Sequence, residues 1–279
     1  MKYFYVISNL SKDYVLDVQD EVQSCLEKRG AVCRYMTDYE RMKNGRHTPG
    51  EYVPEDTQCI ITIGGDGTLI QAARDLAGRN IPMLGINRRH LGFLNQVDRT
   101  EDIDAAMDAL VNERFRLERR MMLRGTVFHE GKPVFQDIAL NEIIATSAEH
   151  LRVLRYDLAV NDEYLNEYAA DGVMVATPTG STAYNLSAGG PVMAPAGRMM
   201  AVTPVCSHTL NARSIVISEE DRVKIGLLGK GLVTFDGDTS QKTGPGDYLI
   251  VERSHMETVM VKLKQISFMQ NLSNYLGNV

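Results

Sequence analysis

The sequence predicts an α/β domain followed by an antiparallel β-sandwich-type domain, and three observations carry that expectation. Over residues 1–115 short apolar runs alternate with amphipathic helical stretches, the pattern of a doubly wound parallel sheet. Over residues 116–259 helical stripes disappear and short β-type segments recur between turn pairs. Within the first stretch, Ile60–Thr68 reads IITIGGDGT, a β-branched run that stops on glycines and one acid. In a doubly wound sheet such a turn falls at the carboxyl ends of the strands, where ligands bind.

Taken in order, Tyr3–Ile7 reads as the first strand. Val15, Val18, Val22, Cys25 and Leu26 recur at helical spacing, and Gly30 stands where a C-cap glycine closes a helix. Ala31–Met36 is the next strand. The polar stretch 37–56, with Gly45, Pro49, Gly50 and Pro54, reads as a mobile loop beside the glycine turn. Ile60–Ile63 is continuously apolar, so it is expected to be buried on both faces. The helical pattern after it starts at Thr68 and ends at Gly78. Ile81–Ile86 is a further strand running into Asn87–Phe93 (NRRHLGF), and Ile103, Met107, Leu110 and Val111 mark another helix.

The second half offers β segments at Arg124–Phe128, Leu154–Val160, Val173–Thr177, Ser214–Ile217, Val223–Leu228, Leu232–Phe235 and Tyr248–Arg253. Turn pairs Glu130-Gly131, Asn161-Asp162, Asp236-Gly237 and Pro245-Gly246 separate them. The run Thr179–Gly190 reads as holding a short helix. The tail 260–279 is expected to pack back on the first domain.

Composition narrows the function. A formal net charge of −6 argues against non-specific nucleic-acid binding, and 44% apolar with 24% charged residues is ordinary for a soluble enzyme. No apolar run approaches the roughly 20 residues that cross a bilayer, and the MKYFYVISN start is too short a run for a signal peptide. Cys25, Cys33, Cys59 and Cys206 show no paired spacing and read as buried thiols in a reducing cytoplasm.

Chemistry concentrates in three places. Gly64, Gly65 and Gly67 allow φ values closed to other residues and let a ligand reach the backbone. The helix from Thr68 would present N–H groups suited to phosphate. Asp66 repels phosphate, so it points to work on a hydroxyl or on a metal; the plain alternative is a tight turn closed by its own side chain. Flanked by glycines, it is expected to stand clear of other side chains. Asn141-Glu142 sit between apolar residues, where a satisfied structural pair and a ligand contact explain them equally well. Asp171–Pro191 is dense in Thr, Ser and Gly around Tyr184, whose ring offers a face for a base.

These stretches together resemble the bacterial NAD kinases: GGDGT at Gly64–Thr68, GIN-R-x-x-LGF at Gly85–Phe93, Asn141-Glu142, TPTGSTAYNLSAGGP at Thr177–Pro191 and SHTLNARS at Ser207–Ser214. The likeness spans most of the chain. A GGDGT-like turn also occurs in phosphofructokinases and diacylglycerol-type lipid kinases; the long Thr/Ser/Gly run preceded by Asn-Glu is the specific part.

The resemblance implies a phosphofructokinase-like N-terminal domain and an enzyme that moves the γ-phosphoryl of ATP to the 2′-hydroxyl of the adenosine ribose of NAD, giving NADP. It implies Asp66 as general base and Gly64, Gly65 and Thr68 as the phosphate turn. Contacts to NAD are implied for Asp66, Gly67, Asn141, Glu142, Arg152, Asp171, Thr182, Ala183, Tyr184, Asn185, Leu186 and Ser187, with Arg88 and Phe93 as further candidates. It implies Mg²⁺ or another divalent cation with ATP, held through the nucleotide phosphates with no protein metal ligand. It also implies a cytoplasmic homotetramer with NAD and ATP as small-molecule partners, and neither nucleic acid nor membrane. No G-x-x-x-x-G-K-[ST] motif is present, so the donor is not held in a P-loop.

Three positions depart from the pattern: Ala169, where many relatives are basic; Asp238, where Gln is common; and the basic Arg88-Arg89-His90. His90 and His208 read as structural. A lipid kinase would want a basic or amphipathic membrane-facing surface, of which the acidic balance gives no sign. A non-catalytic NADP-binding module would have no use for Asp66.

Overall fold

The structure, a computed structural model, describes residues 1–279 apart from 12–13, 38–39, 41–42, 89–91, 150–151, 209–211, 264–267 and 277–279, and the side chains of 274–276. The chain divides into two compact units, Met1–Arg119 with Glu257–Val279, and Arg120–Met256.

In the first unit β1 (Tyr3–Ser8), β2 (Val32–Tyr35), β3 (Cys59–Ile63) and β4 (Met83–Ile86) form a parallel sheet in the order β2-β1-β3-β4. Val6 pairs with Tyr35 on one side and Ile61 on the other. Its helices include α1 (Val15–Glu27), α2 (Asp66–Asp75) and α3 (Ile103–Val111). Val15, Val18, Val22 and Leu26 of α1 and Ile103, Met107 and Leu110 of α3 pack on Phe4, Val6, Ile61, Ile63 and Leu84. That burial explains why β3 is apolar throughout: every residue from Cys59 to Ile63 is buried. The strand order reverses between β1 and β3, the place where a doubly wound sheet opens its ligand crevice.

The second unit is built from β5 (Arg116–His129), β6 (Lys132–Ala139), β7 (Glu142–Ser147), β8 (Leu154–Val160), β9 (Glu163–Ala170), β10 (Gly172–Ala176), β11 (Met199–Val205), β12 (Ile215–Ser218), β13 (Val223–Leu227), β14 (Gly231–Phe235), β15 (Thr239–Thr243) and β16 (Tyr248–Lys262). One sheet runs β12-β11-β10-β7-β14-β15, antiparallel at every pairing. Facing it, β16, β13, β8 and β9 pair in that order and β5 pairs with β6. Leu123, Tyr156, Leu158 and Ile225 from this side share one core with Ile143, Ala145, Val173, Val175 and Phe235 from the other, which makes the unit a β-sandwich. The end of β16 belongs to the first unit, where Met260 pairs with Met83 of β4.

The turn pairs have the backbone their residues favour. Glu130-Gly131, Asn161-Asp162 and Asp236-Gly237 each hold two successive positive φ angles, the conformation of tight hairpins. Within Thr179–Gly190 a 3₁₀ turn at Gly180–Thr182 leads into the one-turn α4 (Tyr184–Ser187).

The structure corrects several expectations. The helix after the glycine turn starts at Asp66, two residues before Thr68, because Gly65 serves as its N-cap. The stretch read as a mobile loop carries a 3₁₀ turn at Gly50–Tyr52, and the Arg79 guanidinium donates to the carbonyls of Gly50, Val53 and Pro54 at 2.9–3.2 Å. Cys206 is exposed and Cys33 half-buried, so only Cys25 and Cys59 are buried thiols. The chain turns left-handed at Cys206 (φ 47°) just past β11, which takes it out of the sandwich. The tail forms α5 (Phe268–Leu276), a helix the sequence reading left undefined. Arg89, His90 and Leu91 of the NRRHLGF turn lie outside the described residues.

Candidate active site

The glycine turn sits where β3 ends and α2 begins. Of its glycines only Gly64 has a positive φ, and a Cβ there would come within 3.1 Å of the Thr68 Cβ. A Cβ on Gly67 would meet nothing within 4 Å, so its bareness serves open space. The Thr68 N–H is spent on the Gly65 carbonyl at 2.9 Å, whereas Asp66 and Gly67 stand in the first turn, where a backbone N–H has no helical partner. A cavity of about 660 Å³ lies here, lined by Asn9, Arg46, His47, Gly65, Gly67 and Thr68 among others. Its walls come from the end of β1, residues 45–48, and the glycine turn with the start of α2, next to the point where strand order reverses. Behind it the Asp75 carboxylate accepts from the Thr48 N–H (2.6 Å) and the Gln71 amide (2.9 Å), with His47 Nδ1 at 3.1 Å. Sequence reasoning passed over Arg46, His47 and Gln71, which carry no motif.

Asp66 does not stand clear, as its glycine neighbours suggested. Its carboxylate turns towards residues 92–95, where the Phe93 N–H donates to Oδ2 at 3.1 Å and the Asn95 amide donates to Oδ1. A Cβ on Gly92 would come within 2.5 Å of the Asp66 Cγ, so the glycine of the LGF triplet makes room for the carboxyl. Burial pushes the Asp66 carboxyl above the ordinary carboxylate range, with the N–H donors of Phe93, Leu94 and Asn95 pulling the other way. Arg88 is exposed and Phe93 half-buried.

In the second unit the Asn-Glu pair opens β7. One carboxylate, Asp236, accepts from three successive backbone N–H groups, Leu140 (2.6 Å), Asn141 (2.8 Å) and Glu142 (3.0 Å). Thr177 ties the Thr/Ser/Gly run to the same place: its hydroxyl donates to the Leu140 carbonyl at 2.6 Å, and its N–H to that of Asn141 at 2.8 Å. A Cβ on Gly180 would come within 2.5 Å of the Asn141 carbonyl carbon, so only glycine admits this approach. Glu142 is buried beside Asp236, its Oε2 has no hydrogen-bond partner among the described residues, and desolvation with that neighbouring charge raises its pKa from 4.5 to about 8. Asp236, read from the sequence only as a turn residue, is the anchor of the group.

The remaining candidates differ in what they offer. Tyr184 is 45% exposed, leaving its ring open to a ligand. Asn185 is fully buried, donating to the Ser181 and Pro191 carbonyls and accepting from the Thr203 hydroxyl at 2.7 Å, so its side chain is spent inside the protein. Thr182, Ala183 and Leu186 are half-buried, and Ser187, Arg152 and Asp171 are exposed. Asp171 Oδ1 lies 3.8 Å from His208 Nε2. The two groups of candidates fall in separate units, Asp66 with the glycine turn, Arg88 and Phe93 in the first and the rest in the second.

Comparison with known proteins agrees across the whole chain. Residues 5–115 match the family described as ATP-NAD kinase N-terminal domain and residues 140–263 the ATP-NAD kinase C-terminal domain. The NAD kinase of Lachnospira eligens is 36% identical over 292 aligned positions, covering 98% of this chain and 99% of that one. The NAD kinase of Caldanaerobacter subterraneus subsp. tengcongensis is 35% identical over 282, covering 99% of each. Two solved structures share the fold: yeast NADH kinase complexed with NADH (TM-score 0.86, 20% identity, 99% of this chain and 88% of that one), and an Archaeoglobus fulgidus NAD kinase in complex with ATP (TM-score 0.80, 22% identity, 99% of each). The chain belongs to the NAD kinase family, and it is an ATP-dependent kinase that phosphorylates NAD to NADP.

Proposed function

We propose that Asp66 is the general base of this reaction, taking the proton of the 2′-hydroxyl of the adenosine ribose as that oxygen attacks the γ-phosphorus of ATP, while the bond from the γ-phosphorus to the β–γ bridging oxygen breaks and ADP leaves with that electron pair. NADP carries its extra phosphate on that hydroxyl, so the product fixes the acceptor. The observation that supports Asp66 is its held carboxyl: one oxygen on the Phe93 N–H, the other on the Asn95 amide, with burial making it a stronger base than a free aspartate. Phosphoryl transfer otherwise asks the protein to position two substrates and spread charge. Gly65, Gly67 and the start of α2 would receive phosphate groups in the cavity beside them.

Asn141, Glu142, Arg152, Asp171 and the segment Thr182–Ser187 would bind the dinucleotide, Tyr184 by stacking on a base. Glu142 would meet it as a neutral acid with an oxygen still lacking a donor, which a ribose hydroxyl can supply. Asn185 would serve by fixing the loop that presents Tyr184. Among the described residues no three His, Cys, Asp or Glu side chains converge. A divalent cation would be carried on the nucleotide phosphates, where it would neutralise charge on the donor. We further propose a cytoplasmic homotetramer. Edge strands β9 and β15 present backbone groups that assembly would cover, and light scattering at micromolar concentration should report four chains, a monomer contradicting this.

The test is direct. Purified protein with ATP, Mg²⁺ and NAD should form NADP, read by an NADP-specific dehydrogenase. Asp66→Asn should lower the transfer rate by about 10²–10⁴, the usual worth of a general base, while NAD affinity measured by calorimetry stays near the parent's.

A further inference from the structure

One glycine, Gly92, and one amide, Asn95, border the Asp66 carboxyl. Asn95 is 3% exposed, and its Nδ2 donates to Asp66 Oδ1. A carboxylate only accepts, so this contact fixes which end of the amide faces it, and the Asn95 Oδ1 is turned the other way. There it is buried and, among the described residues, without a hydrogen-bond partner. Space for it exists because Gly85 of β4 has no side chain: a Cβ there would come within 3.1 Å of the Asn95 Cγ and closer still to Oδ1. Gly92 leaves the matching space on the other side of the carboxyl. The backbone holds the arrangement, with the Gln96 N–H donating to the Gly85 carbonyl and the Asn87 N–H to the Val97 carbonyl, both at 2.9 Å. An unpartnered buried carbonyl costs stability. A leucine of similar size would avoid that cost but would leave Asp66 Oδ1 without this donor, so what the amide supplies at this place is the contact to the carboxyl.

We propose that Asn95 is a positioning residue of the kinase: its amide holds the Asp66 carboxylate in the orientation in which it accepts the substrate proton. The inference rests on Asp66 being the base. A donor on a carboxylate stabilises its ionised form, so loss of the amide makes Asp66 hold its proton to higher pH. The other groups bearing on the carboxyl are the N–H groups of Phe93, Leu94 and Asn95, none of which titrates. Of the charged residues just before them in the chain, Arg88 is exposed, and Arg89 and His90 lie outside the described residues.

Single-turnover phosphorylation of NAD should be followed against pH for the parent, Asn95→Ala and Asn95→Leu, with NAD binding and thermal melting in parallel. In both variants the acid limb of the rate should move up by about one pH unit, with a several-fold lower rate at neutral pH and NAD affinity within about twofold of the parent. Asn95→Leu trades the buried unpartnered carbonyl for the loss of a donor on Asp66 Oδ1, so it should melt close to the parent, and it decides the matter if Asn95→Ala does not fold. A limb that stays in place or moves down overturns the proposal, including a fall in rate that is equal at every pH. Asp66→Asn in the same series separates the two claims. If it keeps the rate within tenfold of the parent, the base assignment itself fails; if it loses the rate while the Asn95 variants keep the parent's limb, only the role of Asn95 falls.

Discussion

Asp66 and Glu142 are both carboxyls withdrawn from water, and the protein treats them in opposite ways. Asp66 has a donor on each oxygen pulling against its burial; burial is the larger effect, so its carboxyl rises above the ordinary range. Glu142 has one oxygen with no partner and a neighbouring carboxylate, Asp236, so it holds a proton up to about pH 8. Burial alone therefore does not set a carboxyl's state; the donors that accompany it do. The first arrangement suits a group that must be ionised to accept a proton. The second suits a group that waits for a ligand to supply what the protein withholds.

The comparison breaks most sharply at Asp236. Its carboxylate caps three N–H groups, so Asp236→Ala should unfold the entry to β7, cost about 3–5 kcal/mol in denaturant melts and abolish NAD binding. A variant that melts within 1 kcal/mol of the parent, on that same scale, would mean the capping is worth little.

Glu142→Gln tests the other carboxyl. Below its unfolded pKa near 4.5 both folded and unfolded chains hold the proton and burial carries no ionic cost. Between 4.5 and about 8 the unfolded chain loses the proton while the folded chain keeps it, so stability falls as pH rises and levels off above about 8. Glutamine never ionises. Glu142→Gln should thus gain stability relative to the parent as pH is raised from 5 to 8, by roughly 2–4 kcal/mol. Equal stability differences at both pH values would show that Glu142 titrates normally.

Tyr184→Ala should weaken NAD binding by about 1–3 kcal/mol, the scale of an aromatic stack on a base, seen mainly in KM for NAD. An unchanged KM in a folded variant would move the base elsewhere.

What the sequence made legible follows from the range of the signals. Hairpins such as Asn161-Asp162 and Asp236-Gly237 were readable because adjacent residues fix their own backbone. The buried strand Cys59–Ile63 announced itself by continuous apolarity. Strands β6, β9 and β15 were missed because they are largely exposed and polar, with no apolar alternation to mark them. The site divided the same way. Asp66, Asn141, Glu142 and Tyr184 stood out in their motifs, whereas Asn95 reaches Asp66 from 29 residues away and Asp236 reaches Asn141 and Glu142 from 95 and 94 away. Nothing periodic links such partners, so only the fold reveals them.

The central claim is that Asp66, and not Glu142, is the group whose ionisation drives transfer. Single-turnover phosphorylation of NAD against pH, run on the parent, Asp66→Asn and Glu142→Gln, tests it most directly. The account predicts an acid limb above the ordinary carboxylate range in the parent, the same limb in Glu142→Gln, and a rate lower by about 10²–10⁴ with no such limb in Asp66→Asn. A folded Asp66→Asn protein that keeps the limb and transfers within tenfold of the parent would contradict it.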